Sequence, residues 1–272
     1  MTSGGGQTPP SSAARPSSGP ARASHPGPVA APSPPPDAAA AFGDHFPLAC
    51  RYADWLAGAG VERGLIGPRE VARLWPRHLL NCVAIAPLVP VGAHLVDVGS
   101  GAGLPGLVLA IARPDLDVLL VDAAVRRCTF LREVTADLGL PNVQVVQSRV
   151  EALPGPRADV VTARAVAPLP RLVSWCLPLL RAGGQLLAIR GERAATELAD
   201  TAPLLARSGA RTWEVVVLTS VDGQEPTTVV RVVAGSPPGP PAPPRPRRGG
   251  PRRSSRPAPR RPRRDDTGPG PA

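Results

Sequence analysis

The sequence predicts a doubly wound α/β domain, an open and mostly parallel sheet with helices on both faces. Short apolar runs alternate with helical patterns between residues 94 and 207, which is typical of parallel strands joined by helices. A loop with four glycines in eight positions, Gly99–Gly106, separates the first strand pattern from the helical pattern after it. Two last strand patterns follow without a helix between them, so we expect an antiparallel hairpin at one edge.

Composition sets the domain boundaries. Residues 1–40 are mostly Pro, Ser, Ala and Gly, and residues 236–272 are mostly Pro, Arg and Gly. Neither segment has enough apolar side chains to offset the entropy of ordering it, so both are expected to be disordered. The folded part would comprise a helical extension, residues 41–90, and the α/β domain, residues 91–235.

The positive charge of the chain is concentrated in its C-terminal tail. Residues 236–272 hold ten Arg and two Asp, a net +8 of the formal +10, and the whole chain contains no Lys. Two interpretations of the tail stay open. It is an arm that follows phosphate groups through forked arginine contacts, or it is the result of mutational drift in a solvated extension.

Cysteine spacing and hydropathy argue against several classes of protein. The four cysteines stand far apart, so neither a metal site nor a redox pair is predicted: Cys50, Cys82, Cys128 and Cys176. No apolar run is long enough for a membrane span, and no secretory signal pattern opens the chain. We therefore expect a cytoplasmic monomer without a metal or a membrane partner.

Two helical patterns fill the extension before the sheet. The first covers residues 42–59, where apolar residues recur at a spacing of three to four. The second begins at Pro68, in the favoured first turn, and continues to Leu79. Pro76 lies inside this second pattern and predicts a kink.

Seven strands and five helical segments are expected in the α/β domain. The strands cover residues 94–98, 117–122, 143–147, 158–163, 184–190, 213–218 and 227–234. The helical segments cover residues 105–112, 125–138, 148–153, 169–180 and 194–207. Asp222-Gly223, between the last two strands, predicts a tight hairpin turn.

The glycine loop fits two cofactor motifs. Gly101–Gly106 matches the dinucleotide pattern G-x-G-x-x-G, whereas Asp97–Gly103 matches the acidic pattern D-x-G-x-G-x-G of S-adenosylmethionine (SAM) binders. A carboxylate at the strand end would repel a diphosphate but attract the ammonium and sulfonium of SAM, so Asp97 favours SAM. Asp122, about twenty residues further on, has the spacing of a ribose-binding carboxylate and fits both motifs.

The chain resembles the bacterial RsmG/GidB family in six stretches: "RHLL" (77–80), "VDVGSGAGLPGLVLA" (96–110), "RRCTFLREV" (126–134), "VVQSRVEAL" (145–153), "ARAVAPL" (163–169) and "LLAIRG" (186–191). The likeness covers about residues 45–235. It implies a class I SAM-dependent methyltransferase fold, Rossmann-like and seven-stranded. It also implies an activity, methylation of nitrogen 7 of one guanine in the 530 loop of 16S ribosomal RNA.

Candidate site residues come from the motif and from the resemblance. The motif indicates that Asp97, Gly101 and Gly103 bind the cofactor. The resemblance implies further SAM contacts at Gly99, Leu104, Val150, Glu151 and Arg164, with Asp122 at the ribose. Basic candidates for positioning RNA are Arg77, His78, Arg126, Arg127 and Arg190. Arg77 and the Arg126–Arg127 pair could instead be ordinary solvated surface charges. His78 could instead have a structural role.

Residues for acid–base or covalent catalysis are not expected. Guanine nitrogen 7 presents a lone pair, so methyl transfer to it requires alignment rather than a base. Methylation of pyrimidine carbon 5 would need a Cys nucleophile in the loop after the fourth strand. That loop, Ala163–Val166, contains no Cys. The partner would be 16S ribosomal RNA or the small subunit. The alternatives are a small-molecule SAM methyltransferase and a non-catalytic RNA-binding protein of this fold.

Overall fold

A single seven-stranded sheet organises the part of the chain that the computed structural model describes, which is Met1 and residues 30–155, 158–218 and 225–235. Its strand order is β3-β2-β1-β4-β5-β7-β6. The strands are β1 (His94–Val98), β2 (Asp117–Asp122), β3 (Val143–Gln147), β4 (Ala158–Arg164), β5 (Leu180–Arg190), β6 (Ala210–Leu218) and β7 (Thr227–Ala234).

Strand directions confirm the predicted topology. Strands β1 to β5 pair in parallel, whereas β7 pairs antiparallel with both β5 and β6. The predicted antiparallel pair is therefore present, but its second strand inserts between β5 and β6 rather than adding to the outside. The Asp222-Gly223 turn expected between the two strands lies outside the described residues.

Helices cover both faces of the sheet and bury two apolar layers. The helices of the domain are α4 (Gly106–Ala112), α5 (Val125–Leu138), α6 (Leu169–Cys176) and α7 (Ala194–Arg207). α4 and α5 contribute to one core layer, and α6 and α7 contribute to the other. Successive side chains of β1 point to opposite faces of the sheet, so Leu95 packs in the first core layer and Val96 in the second. The predicted strands and helices are found within a few residues, and the predicted fold class is confirmed.

The N-terminal extension is helical, but only partly α-helical. Its α-helices are α1 (Ala38–Phe42), α2 (Phe46–Trp55) and α3 (Asn81–Val83). Between them lie 3-10 turns at Gly43–His45 and Pro68–Arg73 and π-helical turns at Leu56–Gly60 and Leu74–Leu80. The second predicted helix is present, but as a 3-10 turn followed by a π turn. Pro76 has no N–H for an α-helical hydrogen bond, and the chain around it widens into a π turn.

The extension starts earlier than composition suggested. Ala38 is completely buried, Ala31 N–H donates to Asp54 Oδ1 at 2.9 Å, and Trp75 Nε1 donates to the carbonyl of Pro32 at 3.0 Å. The boundary predicted at residue 40 is therefore about ten residues too late, because small residues can pack without an apolar pattern. Among the described residues, no helix is both long and apolar enough to cross a membrane.

Candidate active site

A cavity of about 350 Å³ lies at the carboxyl ends of β1 and β4, where ligands bind in open α/β sheets. We call it the glycine-loop cavity. It is lined by the glycine loop, by the loop after β4 and by residues of the extension: Gly64, Leu65, Ile66, His78, Gly99, Ser100, Gly101, Ala102, Leu104, Arg127, Arg164, Ala165 and Val166. The predicted SAM contacts Gly99, Gly101, Leu104 and Arg164 are among them.

The loop needs glycine for its backbone shape. Gly99, Gly101 and Gly103 have φ values of +67°, +58° and +101°, which other residues rarely adopt. A Cβ on Gly99 would lie 2.8 Å from the side chain of Val166, and a Cβ on Gly103 would lie 2.8 Å from the hydroxyl of Tyr52. The bare backbone therefore faces the cavity at Gly99 and Gly101, while Gly103 allows close packing behind it.

The hydrogen bonds of this loop argue against a dinucleotide. Gly101 N–H donates to Asp122 Oδ2 at 3.1 Å, and Gly106 N–H donates to Asp97 Oδ2 at 3.3 Å. The amides of Gly99 and Ser100 donate to a β2 carbonyl, and that of Gly103 donates within the loop. A pyrophosphate would need these donors free. The carboxylates of Asp97 and Asp122 behind the loop would oppose a diphosphate at this position and suit a cationic ligand such as SAM.

Asp97 lies beneath the loop rather than in the cavity wall. It is completely buried, and its Oδ1 accepts the hydroxyl of Thr162 at 2.7 Å. Burial raises the pKa of Asp97 to about 6, although the hydrogen bonds it accepts oppose that shift. A contact between Asp97 and the cofactor therefore stays a prediction, and it would require the loop above the buried carboxyl to move.

Asp122 ends β2 and supports the other side of the loop. Besides the bond from Gly101, its carboxylate accepts Ala124 N–H at 2.9 Å and Arg127 Nη1 at 3.2 Å. The side chain is 4 % exposed, and Arg127, which lines the cavity, covers it. A role at the ribose stays a prediction, and contact with a ribose would require Arg127 to move.

Arg164 is held in the cavity wall by residues of the extension. Its Nη2 donates to His78 Nδ1 at 2.6 Å, and its Nη1 lies 3.2 Å from the sulfur of Cys82. His78 Nε2 in turn lies 3.0 Å from Glu70 Oε2, so Nε2 carries the hydrogen and Nδ1 accepts. Burial, with the nearby Arg164 charge, lowers the pKa of His78 to about 4, which keeps the ring neutral and able to accept.

The other predicted residues lie outside the glycine-loop cavity. Val150 and Glu151 form a 3-10 turn after β3 in which Val150 is buried, and neither lines the cavity. Arg77 pairs with Glu70 at 3.7 Å on the surface, and Arg126 is exposed on α5. Arg190 lines a neighbouring cavity. Within the described ranges, no three His, Cys, Asp or Glu side chains are grouped as metal ligands.

Sequence reasoning missed the residues that support the site from elsewhere in the chain. The hydroxyl of buried Tyr52, in α2, donates to the carbonyl of Ala102 in the loop at 2.7 Å. Cys82, also in the extension, contacts Arg164, and Glu70 contacts His78. A tyrosine or cysteine in a helical apolar pattern is normally a core residue, so no signal in the sequence marked these contacts.

The strand order and the site together define a class of protein. An antiparallel β7 inserted between β5 and β6 distinguishes this sheet from the all-parallel dinucleotide-binding fold. The loop amides are already bonded, and two carboxylates lie behind them. These features define a class I SAM-dependent methyltransferase.

Comparison with known proteins places the chain more narrowly. The family model described as rRNA small subunit methyltransferase G (GidB) matches residues 46–225, and the chain belongs to this family. The "Ribosomal RNA small subunit methyltransferase G" of Thermobifida fusca is 54% identical over 192 residues, which cover 70% of this chain and 81% of the relative. The protein of the same name from Acidothermus cellulolyticus is 57% identical over 184 residues, covering 67% and 82%. The predicted family and its SAM cofactor are thereby confirmed.

The glycine loop allows a test that separates backbone strain from steric clash. A Cβ on Gly101 would meet no atom closer than 3.8 Å, but its φ of +58° is unfavourable for alanine. We expect Gly101→Ala to lower the free energy of unfolding by about 1–2 kcal/mol, measured by urea unfolding. Gly191→Ala is the matched control, because a Cβ there meets open space without a positive φ. Equal stability of the two variants would contradict the assignment of strain to the loop.

Proposed function

We propose that this chain transfers a methyl group from SAM to nitrogen 7 of a guanine in 16S ribosomal RNA. The observation that carries the proposal is a cavity wall with cationic groups and no general base. Two arginines, Arg127 and Arg164, line the cavity, and no carboxyl group is among its described lining residues. His78 lines it too, but its Nδ1 is occupied by Arg164. Guanine nitrogen 7 needs no base, because its lone pair is already free.

Cys82, which lies beside the site, supports the same conclusion. Cys82 contacts Arg164, but it is fully buried and does not line the cavity. Burial raises the pKa of the Cys82 thiol, so the nucleophilic thiolate is disfavoured. The covalent route that methylates pyrimidine carbon 5 therefore lacks its nucleophile here.

The residues present fit SAM, and each has a defined part. The loop of Gly99–Gly103 would cradle it, the buried charges of Asp97 and Asp122 would favour its cationic groups, and Leu104 and Arg164 would border it. When bound, SAM supplies an electrophilic methyl group on a sulfonium. The protein contributes alignment and exclusion of water, which are large terms in a bimolecular transfer. Contacts from Val150 and Glu151 to SAM are also proposed, on the resemblance alone.

The basic surface beside the cavity is where the RNA would bind. Arg126 and Arg127 lie on the first turn of α5, and Arg77 lies on the extension next to His78. Arginine suits phosphate because it donates a planar pair of hydrogen bonds. The reaction would take place in the cytoplasm, where ribosomal subunits are found, and we propose that a monomer carries it out.

A labelling assay tests the proposed function. The purified chain would be incubated with methyl-labelled SAM and small subunits, or their RNA, from cells that lack this gene. We expect label in 7-methylguanine of 16S RNA, detected by mass spectrometry and by strand cleavage after borohydride and aniline treatment. Label in adenine or cytosine, or no label at all, would refute the proposal.

The basic tail gives a separate prediction about RNA affinity. Deleting residues 236–272 should leave SAM affinity unchanged, because the family match ends at residue 225. If the ten arginines contact phosphates, RNA affinity should fall, and its dependence on salt should become shallower. Filter binding at several salt concentrations measures both quantities. An unchanged slope would instead support the drift interpretation of the tail.

A further inference from the structure

A second cavity adjoins the first across the loop after β4. It has a volume of about 470 Å³, within the usual range of small-ligand sites. Its lining includes Ala165 and Val166, which also line the glycine-loop cavity, together with Arg190 at the end of β5 and Glu197 in the first turn of α7. Ala165 holds a φ of +53°, an unfavourable backbone conformation for a residue other than glycine. The wall shared by the two cavities is therefore strained.

Two polar atoms in this second cavity lack partners. Arg190 Nε and Glu197 Oε2 are buried and have no hydrogen-bond partner among the described residues. The two side chains form an ion pair, Nη1 to Oε2, at 3.7 Å, which is too long for a hydrogen bond. Arg190 is anchored by a bond from its Nη2 to the carbonyl of Ala167 at 2.9 Å. Unsatisfied buried groups are costly, so these atoms indicate a site for a polar ligand.

In the second cavity the Arg190 guanidinium, a hydrogen-bond donor, lies next to the Glu197 carboxylate, an acceptor. Guanine has the complementary arrangement, with O6 as an acceptor next to the N1–H and 2-amino donors. Adenine has the reverse arrangement, an amino donor next to the acceptor N1. A turned-over adenine could satisfy one donor and one acceptor, but it has no second donor, so a carboxylate that accepts from both N1–H and the 2-amino group, beside a guanidinium that donates to O6, favours guanine.

We propose that the second cavity holds the acceptor guanine, with Arg190 donating to O6 and Glu197 accepting from N1–H and the 2-amino group. Nitrogen 7 lies on another edge of the base, away from Glu197, so it would approach the methyl group past the side of Ala165–Val166 and still has no base beside it, as the proposed function requires. Taking a base out of its stack into such a cavity costs free energy, which these hydrogen bonds would offset. This inference rests on the proposed function and assigns its base specificity.

A test combines a substitution with a change in the substrate. Glu197→Gln keeps the size of the side chain but replaces one acceptor oxygen by a donor. We expect kcat/KM for 16S RNA to fall about tenfold to hundredfold, with the Kd for SAM unchanged. Glu192→Gln is the matched control, because Glu192 is exposed between β5 and α7 and does not line the cavity. It should transfer methyl groups at the wild-type rate.

Inosine separates recognition of the base from a structural role of Glu197. The guanine located by the labelling assay would be replaced by inosine, which keeps N7, O6 and N1–H but lacks the 2-amino group. The wild type should lose about tenfold in kcat/KM on inosine RNA, whereas Glu197→Gln should distinguish the two RNAs much less.

Each outcome decides one question. Equal wild-type rates on guanine and inosine RNA would overturn the inference even if the variant fails to fold. So would an inosine penalty of the same size in the wild type and in Glu197→Gln. A wild type that labels no guanine would refute the proposed function itself, and the inference with it.

Discussion

Arg164→Ala is expected to lose at least about a hundredfold in methyl transfer while the chain stays folded. Arg164 lines the glycine-loop cavity, and removing one positioned donor from an active site typically costs this much. The fold should tolerate the change, because Arg164 is half-buried and its loss leaves behind a neutral His78 rather than an unpaired charge. Initial rates with labelled SAM give the first quantity, and thermal unfolding gives the second.

Two further variants make this result specific. Arg164→Lys keeps the positive charge but cannot contact both His78 and Cys82 through a fork, so we expect only partial recovery. Arg211→Ala removes an exposed arginine of β6, far along the chain from the site, and should leave the rate unchanged. Activity of Arg164→Ala within a few fold of the wild type would contradict a direct role for this residue.

Local patterns were enough to predict most of the sheet. Each strand of the parallel part is a short apolar run, and each crossover helix begins or ends near a Pro or Gly. The position of β7 could not be read in this way. An antiparallel hairpin satisfies the same local pattern whether its second strand lies inside or outside, and only packing against β5 selects the inside position.

The site was predictable where it depends on backbone shape and unpredictable where it depends on distant contacts. The glycine spacing predicted the loop, because positive φ values leave a mark in the sequence. The contact from His78 to Arg164 spans 86 residues and arises in a π turn, which has no sequence signature. Asp97 was assigned to the ligand from the glycine motif and from its charge, and its depth could be known only from the packing of Gly106 against it.

Asp97→Asn is expected to stabilise the free protein at neutral pH and to weaken SAM binding. Burial raises the pKa of Asp97 to about 6, so its ionised form costs folding about 2–3 kcal/mol at pH 7. Asparagine can still accept from Gly106 N–H through Oδ1, but its amide nitrogen cannot accept the hydroxyl hydrogen of Thr162, so removal of the charge is partly offset by one lost hydrogen bond. The melting temperature should rise by about 5 °C.

The pH dependence of stability shows the sign of this effect. A carboxyl with a raised pKa contributes stability that is lost as pH rises from about 4 to about 6. His78 opposes this trend, because its lowered pKa contributes stability that is lost as pH falls from 6.5 towards about 4. The wild type should therefore show a nearly flat profile in this window. Asp97→Asn should show the His78 slope alone, with stability falling as the solution is acidified.

SAM binding should respond in the opposite direction to stability. A cation above the loop favours the ionised form of Asp97, so wild-type affinity should improve between pH 5 and pH 7.5. In Asp97→Asn we expect affinity about tenfold lower at pH 7.5 and much less dependent on pH, measured by calorimetry.

Asp115→Asn provides the control for these measurements. The pKa of Asp115 is lowered to about 2, chiefly by its hydrogen bond from Arg113, so its ionised form stabilises the fold. Its replacement should slightly destabilise the chain and leave SAM affinity unchanged, since Asp115 does not line the glycine-loop cavity. An Asp97→Asn variant that is less stable than the wild type at pH 7, or that binds SAM equally well, would show that the buried carboxylate serves the fold. If Asp97→Asn is more stable but binds SAM more weakly, the wild-type Asp97 carboxylate lowers the stability of the fold and is kept because it strengthens cofactor binding.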